Sequence, residues 1–164
     1  MSRAADNIKP LDVRLGAWES TTVSDVTGME IPPEVLAQMP PDQRARMEAA
    51  FKARAPQGPT KKVRQSCVTK ESMDKLLTFK DTNPNSNCKR TVITSTSRQQ
   101  DFHEECVAAG QKSSSDVHFE ATDSTHVQGT VHSTVTSAGG AHPIHMNLTF
   151  NARWLGPDCT NLKN

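Results

Sequence analysis

Residues 144–159 read IHMNLTFNARWLGPDC. Ile144, Met146, Leu148, Phe150, Ala152 and Trp154 alternate with His145, Asn147, Thr149, Asn151 and Arg153. Successive side chains of a β-strand point to opposite faces, so this alternation predicts a strand with one apolar face and one wet face. Antiparallel sheets accommodate such strands, because one face of the sheet can stay in water. The stretch ends on Cys159, which needs a partner.

The same period runs back through the chain. Val127, Val131 and Val135 share a face within 125–137, opposed by Gln128, Thr130, His132 and Thr134. Val117 and Phe119 oppose His118 and Glu120 within 115–122. CKRTVITSTSR (88–98), DFHEECVAA (101–109), TKKVRQSCVT (60–69) and VRLGAWESTTV (13–23) carry the β-branched and aromatic content of strands. Short connections make the chain from Cys88 onward a meander of hairpins, with the turn between 88–98 and 101–109 falling at the two glutamines. DTNPNSN (81–87) and SAGGAHP (137–143) read as turns.

Helical character interrupts this pattern twice. GMEIPPEVLAQMPPDQRARMEAAFKARAPQGP (28–59) holds two helix starts, Pro33-Glu34 and Pro41-Asp42. Proline suits the first helical turn, and an acid there meets the positive end of the helix dipole. ESMDKLLTF (71–79) reads as a short helix. The expected fold is mainly all-β: an antiparallel meander curled into a barrel-like or cupped sheet, with a short helical insertion after the first strand. One domain over 1–164 would comprise a polar leader (1–12), the insertion (28–59) and the main meander (60–159).

Composition bounds the rest. The chain has 164 residues, 34% of them hydrophobic and 4% aromatic, with no tyrosine. Its few large side chains must therefore share one face, and covalent links help. Nineteen basic residues against eighteen acidic leave no global field to draw nucleic acid or an anionic membrane. No run of apolar residues approaches the ~18 that a membrane-spanning helix needs. MSRAADNIKP has no apolar stretch, so either the protein is cytosolic or a signal peptide has been removed.

The four cysteines, Cys67, Cys88, Cys106 and Cys159, favour the second option. They form no close pairs of the kind zinc sites use, and an even number fits two disulfides and an oxidising compartment. Cys88 and Cys106 fall near the open end of one hairpin and can be bridged in the right register. Cys67 and Cys159 would then tie the middle of the chain to its end and close the sheet on itself.

LGAWESTT, IPPEVLAQMPPDQRARMEAAFKAR, SCVTKESMDK, CKRTVITSTS, DFHEEC, VHFEATDSTHVQGTVH and ARWLGPDC together resemble the small secreted proteins of domain-of-unknown-function family 3617. The resemblance spans about residues 9–159. It implies export to the periplasm of Gram-negative bacteria, and it brings no catalytic residues.

Function must then be sought in the residues themselves. The apolar series Trp18, Phe119, Val131, Met146, Leu148 and Phe150 would line the concave side and suits an apolar or lipid-like ligand, in a non-enzymatic binding or cell-envelope accessory protein. The insertion 28–59, with methionines and bases, would be a flap over that cavity, a docking surface for an envelope component or partner, or simply packing. A second reading takes His118, His132 and His145 on the wet face as ligands of a transition metal, since a register pairing Val135 near Ile144 brings His132 towards His145. A third is association through an exposed edge strand. No GxSxG motif occurs, no serine has a fixed offset to a histidine and an acid, and no cofactor motif is present, so no catalytic residue is assigned.

Overall fold

The computed structural model describes residues 8–54, 58–78, 86–137 and 142–163. Residues 1–7 of the polar leader, most of the expected DTNPNSN turn and the centre of the SAGGAHP turn lie outside them. The strands are β1 (Gly16–Thr27), β2 (Thr60–Val68), β3 (Ser86–Ser95), β4 (Gln99–Ala108), β5 (Gln111–Asp123), β6 (His126–Thr136) and β7 (Ile144–Gly156). The helices are α1 (Pro33–Ala37) and α2 (Pro41–Arg54) between β1 and β2, and α3 (Lys70–Thr78) between β2 and β3. Pro33 and Pro41 each open their helix, followed by Glu34 and Asp42, as the sequence predicts.

All seven strands form one antiparallel sheet in the order β2-β1-β7-β6-β5-β4-β3. The sheet is cupped and does not close. Two differences from the sequence reading have local causes. The β3–β4 turn lies at residues 96–98, because the Thr96 hydroxyl accepts from the Gln99 and Arg98 amides. Gln99 and Gln100 therefore belong to β4. The β4–β5 turn is a two-residue loop, Ala109-Gly110, with both φ angles positive (49° and 77°), the geometry that matches the twist of a hairpin.

Both disulfides form, Cys67–Cys159 and Cys88–Cys106. The second links directly opposed residues of β3 and β4. The first does not close the sheet, contrary to expectation. Cys67 on β2 lies opposite Ala17 on β1, and Ala17 opposite Gly156 at the end of β7, so the bridge laces three neighbouring strands at one end. The two edges that closure would have to join are β2 and β3.

Bulk is missing at one position of β6 where two aromatic rings meet. Gly129 on β6 lies opposite Phe119 on β5 and Phe150 on β7. A Cβ at Gly129 would stand 2.4 Å from a Phe119 ring carbon, so the glycine lets that ring lie across β6. Phe119 then meets Phe150 edge to face, with centroids 5.8 Å apart.

The sheet has little over it. Ala17, Trp18 and Ala121 are the buried hydrophobic residues among those described, and the extensive contacts between elements are all strand on strand. Helices α1 and α2 bury no residue.

With so thin a core the covalent ties carry much of the stability. Replacing Cys67 and Cys159 together by alanine should cost about 4.5 kcal/mol in denaturant unfolding without reductant, and replacing Cys88 and Cys106 about 3 kcal/mol. A loss below about 1 kcal/mol for the longer bridge would show that the sheet holds its end without it.

Candidate functional site

The register sorts the sheet into two chemically different faces. On the concave side Thr22, Phe150, Gly129 and Phe119 form one cross-strand row, and Ser24, Leu148, Val131 and Val117 the next. Further along, Met146 and Ser133 sit opposite each other, and Ser133 shares a hydrogen bond with Ser115. The row ends in charge: Arg90 pairs with Glu104 at 2.9 Å and lies 4.2 Å over the Phe102 ring. All six residues expected to line the concave side, Trp18, Phe119, Val131, Met146, Leu148 and Phe150, share this face by register.

At the opposite end lies an apolar cavity of about 300 Å³. Its floor is Trp18, Val127, Phe150 and Ala152. One wall is Val68 and Met73, from the end of β2 and from α3. The other is Pro10, Leu11 and Val13, from the chain before β1. Ser20, Ser66 and Gln100 are the polar groups on its surface. Of the six residues expected from the sequence, Trp18 and Phe150 line this cavity; Phe119, Val131, Met146 and Leu148 extend the same face beyond it.

The wall before β1 was not legible in the sequence. From residue 8 on, the polar leader is an arm laid across the end of the cup. The Asp12 amide donates to the Ser97 carbonyl, the Arg14 amide to the Ser124 carbonyl, and the Gln100 side chain to the Lys9 carbonyl. The two indoles hold it from below, Trp18 donating to the Arg14 carbonyl (2.8 Å) and Trp154 to the Leu15 carbonyl (3.1 Å). Among the described residues, no residue of the insertion 28–59 lines the cavity. The cover comes from the arm and α3 instead.

The convex face carries the histidines. Thr91, His103, Asp116, His132, Asn147 and Asp25 form one unbroken row across six strands. Val135 does pair with Ile144, which sets His132 opposite Asn147 and His145 opposite Thr134, one step apart on the diagonal. Each of the three candidate metal ligands engages its own neighbour: His118 with Asp101, His132 with Asn147 (2.6 Å) and His145 with Thr134 (3.2 Å). Among the described residues, the ligand atoms that gather within 4.8 Å of one another are those of Cys88, Glu104 and Cys106, and both sulfurs there are committed to a disulfide.

The register also assembles a group that no sequence offset suggested. His103 Nδ1 lies 2.7 Å from Asp116, and Ser114 Oγ lies 3.4 Å from His103 Nε2. A hydrolase also needs donors aimed at a developing oxyanion. In mid-sheet the backbone amides are taken up by the ladders on either side, and Glu105 lies 3.7 Å from the same Nε2. The arrangement is a polar surface ladder.

Its electrostatics are cross-strand and local. The Asp116 hydrogen bond, with smaller help from Glu105, raises His103 above its ordinary value of 6.5. Burial pushes Asp101 up, but hydrogen bonds from His118 and Gln99 outweigh it and hold its carboxyl below the usual range. Asp123 is lowered to about 2, because the Thr125 hydroxyl and amide both donate to it and His126 adds a further bond.

A scan against family models matches residues 8–159 to the family described as protein of unknown function DUF3617. The chain belongs to this family. No curated protein and no solved structure matches it. No helix among the described residues is long and apolar enough to cross a membrane.

Because His103 binds its proton more tightly folded than unfolded, its contribution to stability is complete below the unfolded value and disappears as pH rises through the folded value. The His103 ring should titrate above 6.5 by NMR, and Asp116→Asn should bring the midpoint down. An unchanged midpoint in that variant would show that the pair does not exist in solution.

Proposed function

We propose that this protein is a non-enzymatic binding protein of the periplasm that holds an apolar, lipid-like molecule on its concave face. One observation carries the reading: an apolar cavity, walled by the arm and by α3, opens along a sheet face whose further apolar residues stay half-exposed among the described residues. Its volume of about 300 Å³ stands at the lower end of the range for small-molecule sites, and its few polar groups suit orientation more than chemistry. A half-exposed row of Phe119, Val131, Leu148 and Met146 costs free energy while it faces water, and a bound hydrocarbon would recover about 25 cal/mol per Å² covered. Two disulfides support an oxidising compartment, and the periplasm is the one that the family resemblance implies.

The metal reading draws less support, since His118, His132 and His145 each bond a different neighbour through Nδ1 and are not among the described ligand atoms that gather within 4.8 Å of one another. Association through an edge is opposed at β2, where Lys61, Lys62 and Arg64 deter pairing with another copy.

A neutral fluorescent probe such as N-phenyl-1-naphthylamine should brighten on the oxidised chain and be displaced by a medium-chain lipid. Ala152→Trp, which fills the cavity floor, should weaken probe binding at least about tenfold while the chain still melts cooperatively. Probe binding that is absent, or that ignores Ala152→Trp, would refute the assignment of the cavity.

A further inference from the structure

A second recess begins where the apolar cavity ends. Among the described residues it is lined by Ser20, Thr22, Lys62, Val63 and Arg64, and it is an open hollow of about 940 Å³ beside the exposed edge strand β2. Ser20 lines both recesses, so they are neighbours along β1. The register explains the change of character. On β2, Ser66 lies opposite Trp18, Arg64 opposite Ser20 and Lys62 opposite Thr22. Moving along β2 on the concave side, the chain passes from Val68 and Ser66 at the apolar cavity to two cations within four residues. The facing positions on β1 are Ser20, Thr22 and Ser24, which are hydroxyls and not acids. Glu19, the nearest acid on β1, points to the other face, where Arg153 and Gln65 hold it. Neither Lys62 nor Arg64 has an acidic partner among the described residues.

We propose that the ligand is an anionic amphiphile with a single hydrocarbon tail, its tail in the cavity floored by Trp18 and Phe150 and its oxyanion head held by Arg64 and Lys62. The inference rests on the binding function proposed above and adds the charge and the polarity of the ligand. Arginine offers a planar fork of donors that matches a carboxylate or a phosphate, and lysine adds a compact charge two residues along the same face. The hydroxyls of Ser20 and Thr22 lie opposite the two cations on the neighbouring strand. Cations on an edge strand also deter sheet-to-sheet pairing. That role requires charge but no adjoining cavity, and it predicts no preference among ligands.

The test compares three ligands with the same twelve-carbon tail, dodecanoate, dodecyl phosphate and dodecanol, below their micelle concentrations. Each competes with the neutral probe on the full oxidised chain at low salt. The anions should bind about tenfold or more tightly than dodecanol, the range of charge-assisted hydrogen bonds. The tighter of the two anions identifies the head. Lys62→Gln/Arg64→Gln should bring both anions down to the affinity of dodecanol and leave dodecanol unchanged, while Lys61→Gln, on the opposite face, should change nothing. Equal binding of all three ligands to the wild-type chain would overturn the headgroup site and leave the apolar site standing. Failure of all three to displace the probe would overturn both.

Discussion

A single sheet with one apolar face must keep that face from water, and the described residues supply no second layer with which to do so. Helices α1 and α2, which the sequence offers for that purpose, bury no residue. The sheet instead curls. Gly129 lets the Phe119 ring cross β6 to reach Phe150. Curling shields the centre, but it leaves two ends and a mouth.

One end is shut by the arm before β1 and by the Cys67–Cys159 bridge. These two devices work on the same strands. The bridge laces β2, β1 and β7, and the arm runs from that corner to the β3–β4 and β5–β6 turns. Trp18 links them, since it is buried in the floor and donates to the arm. Gly16, with φ of 128°, sits so close to the Gly156 carbonyl that a Cβ there would be 2.3 Å from its oxygen. The corner is thus tightly built while the mouth is open, the distribution of rigidity that a preformed pocket needs. The convex face contributes solubility and a set of cross-strand polar pairs, each worth a modest amount.

Much of this was legible in the residues. The period-two alternation of 144–154 and of 125–137 located the strands and their faces, because a one-residue slip would have turned every apolar side chain into water. Placement of Cys88 and Cys106 at one hairpin's open end followed from the tight turn between 88–98 and 101–109, and the register then sets them opposite each other. The arm was not legible, because its attachments are backbone carbonyls of distant turns, Ser97 and Ser124, and carry no pattern in the sequence. Nor was the true role of Cys67–Cys159, since only the strand order shows that β1 lies between its ends. The basic recess needed pairing information too: Lys61, Lys62 and Arg64 read as one cluster until the register sends Lys62 and Arg64 to the concave side and Lys61 to the other. The insertion 28–59 read as a possible lid, and its weak amphipathicity is consistent with helices that remain uncovered.

The most direct test is native mass spectrometry of the protein recovered from the cells that produce it, followed by its denatured, unreduced mass. The account predicts two intact disulfides and additional native mass that is lost on denaturation and proves to be a single-tailed anionic lipid. A bare chain, under conditions that keep a non-covalent complex together, would contradict the claim that the uncovered face of the sheet is a ligand site.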